Sequence, residues 1–214
     1  MKHTPSSTII TFDLHDVVLT MNYREACGLM WRNKRAMCVL ALHACNPVLL
    51  ARLVRLWRSN TVIAGYLLML EQNYPRLIPH LPFMVRVANA QQPIPTTINL
   101  IRNLKARGYT VHLLSNIGDH LLEELRMRFA EVIDLFDAHH VTQREYDYLG
   151  KPHAQMFTTY QARYNPENKQ VIFIDDKQRN IAAAQQYGMI ALRFYNPVQL
   201  QHDLEQLLAG HTSS

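Results

Sequence analysis

The sequence predicts an α/β fold in which a parallel sheet carries helices on both faces and is interrupted by an inserted all-helical segment. Three observations predict it. A β-branched run near the start, Thr8-Ile9-Ile10-Thr11-Phe12, ends in an acidic residue, Asp13. The stretch from Tyr23 to Ala90 is rich in Leu, Met, Ala and Arg and lacks strand-like alternation. Beyond Gln91, short apolar runs alternate with helix-length segments. Strands separated by helices need crossover connections, and crossovers produce a parallel sheet buried on both faces.

Each element follows from local pattern. The first run reads as a buried strand that delivers Asp13 at its carboxyl end. Turn signals at Asn46-Pro47, Tyr74-Pro75 and His80-Leu81-Pro82 divide the next segment into a small helical bundle, with a boundary near Gln91-Gln92-Pro93. Thr97 to Arg107 is helical and stops at Gly108. Tyr109 to Leu114 is a strand ending in Ser115-Asn116, and Asp119 to Phe129 is a helix. A short strand lies between Val132 and Val141, and Ala154 to Tyr164 is a helix. Val171 to Ile174 is a strand ending at Asp175-Asp176, followed by a helix from Asn180 to Tyr187 that stops at Gly188. Ile190 to Phe194 and Val198 to Leu208 complete the alternation as strand and helix. Ligands of such sheets collect outside the carboxyl ends of the strands. Asp13, Ser115 with Asn116, and Asp175 with Asp176 all fall there.

Composition narrows the class. The chain has 214 residues, 48% of them apolar, enough for one domain with an insertion and against disorder. The net charge of +5 is uneven: Thr20 to Ala90 carries nine Lys/Arg and two acids, so that segment is +7 and the remainder −2. Cys27, Cys38 and Cys45, odd in number and without a CxxC pair, fit a reducing compartment. The first ten residues form no secretory signal, and the most apolar stretch, Val39 to Trp57, is broken by His43, Asn46, Pro47, Arg52 and Arg55. The expectation is a cytoplasmic protein with no membrane contact. Arg52, Arg55 and Arg58 form a basic stripe, read as a solvated face with a substrate or nucleic-acid surface as the alternative. Trp31, Trp57 and the neighbouring Met residues are read as core of the helical segment, and His139, His140 and His153 as loop surface rather than a zinc site.

Four motifs in order carry the functional reading: Phe12-Asp13-Leu14-His15-Asp16, Leu114-Ser115-Asn116, Leu149-Gly150-Lys151-Pro152, and Phe173-Ile174-Asp175-Asp176 with Asn180 and Gly188 downstream. Taken singly, each has a plain structural explanation as a turn or helix cap. Together they resemble the haloacid dehalogenase superfamily over nearly the whole chain. The resemblance implies a Rossmann-like core formed by residues 1–20 and 92–214, with a helical cap at 21–91. It implies a phosphatase in which Asp13 attacks phosphorus to form an aspartyl-phosphate. It also implies Mg²⁺ held by Asp13, the backbone carbonyl of His15 and Asp175, with Asp176 close by. Ser115 and Asn116 would hold phosphoryl oxygens, and Lys151 would supply positive charge. His15 stands where most phosphatases of the superfamily carry a second Asp, and Asp16 where Gly is usual. The expected partner is a small anionic phosphorylated substrate; nucleic acid is not expected, and oligomeric state is left open. The alternatives are a catalytically weak relative that binds a phosphorylated ligand or a protein, and a 2-haloacid dehalogenase.

Overall fold

The structure, a computed structural model, describes residues 3–58, 63–143 and 149–210, without the side chains of 56–58, 63–67 and 120. The expected elements are present, the first strand and the helix Ala154–Tyr164 with their expected ends and most others with shifted ones. Strand β1 (Thr8–Phe12) is followed by β2 (Leu19–Met21) and helices α1 (Tyr23–Arg32), α2 (Lys34–Ala44), α3 (Pro47–Arg58) and α4 (Ile63–Asn73). A 3-10 turn (Pro75–His80), α5 (Leu81–Ala88) and β3 (Gln91–Pro93) close the insert. The alternating half comprises α6 (Pro95–Ala106), β4 (Thr110–Gly118), α7 (Asp119–Ile133), β5 (Ala138–Thr142), α8 (Ala154–Tyr164), β6 (Gln170–Asp175), α9 (Gln178–Gln186), β7 (Ile190–Arg193) and α10 (Pro197–Leu208).

Five strands pair in the order β5-β4-β1-β6-β7, and all four pairings are parallel. Side-chain alternation sorts the sheet into two cores. Ile10, Phe12, Val111, Leu113, Ile172 and Ile174 face α6, α7 and α10. Ile9, Leu114, Val171 and Phe173 face α8 and α9. Burying each such side chain contributes roughly 1.5–3 kcal/mol, so the central strands are held from both sides. Gly108 and Gly188 end α6 and α9 with φ of +85° and +75°, left-handed conformations that glycine adopts without steric cost.

The chain runs outward from β1 to β4 and β5, then crosses to β6 and β7 on the other side. The switch in direction falls between β1 and β6, where such sheets bind ligands. Two features escaped the sequence pattern. β2 and β3 form a three-residue antiparallel ribbon, Leu19 opposite Pro93, that brings the two ends of the insert together. Helix α7 continues past Phe129, whose non-helical backbone (φ −132°, ψ 44°) marks a kink rather than an end.

Several side-chain expectations are corrected. Trp31 is 75% exposed, with the Lys34 ammonium 5.1 Å from its ring centre, and is not core. The insert's own core is small, centred on Leu49, Leu70, Leu77 and Leu81, and leaves Trp31 outside. Met30 and Met37, the methionines next to Trp31, are half-buried and not part of that core, whereas Met69 and Met84 pack against it. The side chains of Trp57 and Arg58 lie outside the described residues. His139 and His140 belong to strand β5, not a surface loop; His140 is buried against Tyr160 and Tyr164 with Nε2 3.2 Å from the Thr159 hydroxyl. His112 joins the same buried cluster, its Nδ1 3.0 Å from the Tyr160 hydroxyl, which in turn lies 2.7 Å from Thr11 Oγ1.

Burial pushes both His112 and His140 down to about 4. Their folded-state affinity for protons is below the ordinary value of 6.5, so between pH 6.5 and 4 the unfolded chain binds more protons than the folded one. Stability is unaffected above that window and falls as pH drops through it, by about 2 kcal/mol per histidine at pH 5. Urea denaturation at pH 7 and pH 5 should show this loss, and His140→Gln should remove about half of it. A pH-independent midpoint would contradict the assignment.

Candidate active site

Register assembles the site at the carboxyl end of the sheet. Phe12 pairs with Leu113 on one side and Ile174 on the other, so Asp13 emerges next to Leu114-Ser115 and Asp175. The Asp13 N–H donates to the Ile174 carbonyl at 2.8 Å, holding the turn to the sheet. Asp16 then sits at φ 60°, which explains the usual glycine at this position. Asp is among the few other residues that tolerate it. The Asp16 N–H donates to the Leu19 carbonyl at 2.6 Å, closing the loop.

Lys151 is the hub. It is fully buried, and its Nζ lies 3.0 Å from Asp13 Oδ1 and 2.7 Å from Asp175 Oδ2. The ammonium also donates to the Leu114 carbonyl at 2.6 Å. Asn116 fixes the lysine's backbone: its Nδ2 donates to the Lys151 carbonyl at 2.8 Å, and its Oδ1 accepts from the Lys151 N–H at 2.6 Å. Loop position and side-chain aim are thus set by separate bonds.

The three carboxylates Asp13, Asp175 and Asp176 each offer an oxygen within 4.8 Å of the others. Burial opposes ionisation of Asp13, but the charges of Lys151, Lys177 and His15 outweigh it and hold the carboxyl below its usual range. Burial and the like charge of Asp13 push Asp175 up against the pull of Lys151. Burial also raises Asp176. For Lys151, burial alone would favour the neutral form, yet Asp13 and Asp175 reverse this and raise its pKa, so it stays charged. His15 is half-buried, and burial lowers its pKa more than Asp13 and Asp16 raise it. One buried ammonium therefore lies between two carboxylates, with Asp176 as a third acidic group close by, and the cluster fits a hard cation with oxygen ligands. Asp176 Oδ1 is buried and makes no hydrogen bond among the described residues; its nearest cation is Lys177 Nζ at 3.5 Å. Ser115 Oγ is likewise buried without a partner among the described residues. An unsatisfied buried polar atom costs about 1–3 kcal/mol, and a ligand oxygen or cation at this position would satisfy it.

Of the residues expected at the site, Asp13, Asp175 and Asp176 lie together, Lys151 bonds to two of them and Asn116 holds Lys151, while the His15 side chain is not part of the carboxylate cluster. Two positioning roles were not foreseen, although Asn180 stands in the fourth motif. Asn180 Nδ2 donates to both oxygens of Asp175 at 2.9 Å, and the Lys177 N–H donates to Asp175 Oδ1 at 2.8 Å. Their signal was the spacing of Lys177 and Asn180, two and five residues after Asp175 at the start of α9. A cleft of about 1080 Å³ between α1, α5 and α7, with Leu29, Val85 and Leu125 in its wall, is lined by none of Asp13, Asp175 and Asp176.

The family model for haloacid dehalogenase-like hydrolases matches residues 9–188. The chain belongs to this family. The haloacid dehalogenase-like chain is also similar to a sesquiterpene phosphatase of Aspergillus oryzae, 29% identical over 117 residues. That match spans 55% of this chain and 58% of the relative's length. A family enzyme of Bacteroides thetaiotaomicron, solved with magnesium and inorganic phosphate, aligns with TM-score 0.58 and 16% identity, covering 88% of this chain and 94% of that one. An L-2-haloacid dehalogenase of Xanthobacter autotrophicus aligns with TM-score 0.56 and 16% identity, covering 100% and 85%. These structures share the fold, and a fold alone does not separate phosphatase from dehalogenase.

Removing one partner of a buried ion pair leaves uncompensated charge. Lys151→Met should therefore lower unfolding free energy by about 3–5 kcal/mol at pH 7 in metal-free buffer. Urea denaturation measures it, and a loss below about 1 kcal/mol would show that the lysine does not hold the carboxylates together.

Proposed function

We propose that this hydrolase cleaves a small-molecule phosphate monoester with the help of Mg²⁺. The observation that carries the reading is the cluster of Asp13, Asp175 and Asp176, the first two bonded to a buried Lys151, together with a Ser115 hydroxyl that has no partner among the described residues. A halide displacement from carbon needs a nucleophilic carboxylate and an anion acceptor, but not two further acidic groups. The excess of negative charge favours the phosphatase over the dehalogenase. The names of two similar proteins, the sesquiterpene phosphatase and the enzyme bound to magnesium and phosphate, agree with it.

In this reading Asp13 is the nucleophile. Its carboxylate attacks phosphorus, an aspartyl-phosphate forms, and the alcohol leaves; water then attacks phosphorus and restores the carboxylate. The low pKa of Asp13 keeps it ionised for attack. Lys151 neutralises part of the charge that builds on the transferring group and keeps Asp13 aimed. The Ser115 hydroxyl and the Asn116 N–H hold phosphoryl oxygens, while the Asn116 side chain remains occupied with the backbone of Lys151. Asp13, the His15 carbonyl, Asp175 and Asp176 would hold Mg²⁺, which supplies charge neutralisation for an anion approaching an anion. Asn180 and Lys177 orient Asp175 for that task. The His15 imidazole, in the field of Asp13, Asp16 and Lys177, is the group that would move the proton to the leaving oxygen or from water. Residues 21–91 form the cap in this account, joined to the core through the β2–β3 ribbon.

A panel of phosphate monoesters, assayed with Mg²⁺ and with chelator, tests the proposal. Turnover should require Mg²⁺, and Asp13→Asn should lower it by at least about 10³-fold, as loss of a nucleophile does. Equal rates for wild type and Asp13→Asn across the panel would reject the reading in favour of a ligand-binding role.

A further inference from the structure

Between Glu25 and Glu71 the chain contains no acidic residue, yet Arg32, Lys34, Arg35, Arg52, Arg55 and Arg58 all fall there. Helices α2 and α3 meet at Cys45-Asn46 in an elbow bent by 86°. The outer surface of that elbow is aliphatic: Leu42 is 77% exposed, Val48 57%, Val54 47% and Leu50 46%. Ala41, Ala44, Pro47 and Ala51 are exposed beside them. The inward positions of α3, Leu49 and Leu53, are already committed to the insert's core. The exposed aliphatic residues are therefore a second apolar surface, not the core-facing side of an amphipathic helix.

Cations lie within this surface. On α3, Arg52 follows Val48 by one turn and Arg55 follows Ala51 by one turn, so each arginine stands beside an exposed apolar residue. Lys34, Arg35, Arg52 and Arg55 are all exposed. Single exposed leucines carry no message. Several exposed aliphatic residues on one elbow, interleaved with cations and without an acidic residue in the same segment, indicate a partner that is apolar and anionic at once.

Single-stranded nucleic acid is also anionic, but proteins hold its bases on stacking aromatic rings, and Leu42, Val48, Leu50 and Val54 at the elbow provide none. An anionic bilayer matches both properties. Aliphatic side chains enter the boundary below the headgroups while Arg and Lys extend to the phosphates. We propose that the α2–α3 elbow is a peripheral contact for the surface of an anionic lipid bilayer. No single helix among the described residues is long and apolar enough to cross a membrane, although α2 and α3 taken together match a bent span in length and composition; the exposed Arg52 and Arg55 among the apolar residues of α3 are the reason to put the proposed contact at the surface. This departs from the expectation of no membrane contact. It stands independently of the phosphatase reading, since none of its residues belongs to the carboxylate site.

Sedimentation of the full chain with vesicles tests it, comparing phosphatidylcholine alone with phosphatidylcholine containing phosphatidylserine. The protein should bind the anionic vesicles, should not bind the neutral ones, and should release as salt is raised. The double variant Arg52→Gln/Arg55→Gln should bind roughly thirtyfold more weakly, since each basic residue near the surface is worth about fivefold. Leu42→Ser/Val48→Ser should weaken binding by about tenfold or more through lost apolar burial. Circular dichroism confirms that both variants keep the fold. Equal binding of wild type and variants, no binding to anionic vesicles, or retention on single-stranded DNA in place of vesicles would each overturn the proposal.

Discussion

A buried ammonium between two carboxylates is the constraint on which this molecule turns. Lys151 has no contact with water, so its charge is tolerable only while Asp13 and Asp175 stay within hydrogen-bonding reach. Those three residues come from three separate parts of the chain: the end of β1, the loop before α8, and the end of β6. The parallel register of β1 with β6 sets the first and third side by side, and Asn116 at the end of β4 holds the loop that carries the second. Fold and site are therefore coupled. Moving any one strand end by a residue would leave a charge buried without its partner.

Much of this was legible in the sequence because the signals were local. A β-branched run that ends in Asp13, and an apolar run that ends in Asp175, mark strand ends whatever surrounds them. Helix α8 and strand β1 matched their expected bounds, since each is bordered by polar or turn-forming residues. What the sequence hid depended on distance. The β2–β3 ribbon is three residues long on each side and stabilised by pairing across the whole insert. The kink at Phe129 looks like a helix end to any local pattern. His140 resembled loop surface because nothing nearby in sequence reveals Tyr160 and Tyr164 packed on it. Asn180 could be placed on a helix but not onto Asp175, since that contact depends on how α9 leaves β6.

The insert obeys a different balance from the core. Its bundle buries few leucines and leaves aliphatic residues and arginines outside. The core half has the opposite net charge, and three of its acids, Asp13, Asp175 and Asp176, meet where β1 and β6 end. In the proposed reading this division separates two kinds of work: precise placement of charge in the sheet, and broad contact in the helices. The first needs a rigid, doubly covered scaffold; the second needs only exposed surface of the right composition.

The central claim is that the carboxylate cluster around Lys151 is a cation site serving phosphate chemistry. Titration of Mg²⁺ into the metal-free protein by calorimetry addresses it most directly, with Asp175→Asn alongside. The account predicts one saturable site in the wild type and binding at least about tenfold weaker in Asp175→Asn, because a hard anionic ligand has been removed. Identical binding by the two proteins, or none by the wild type, would contradict it.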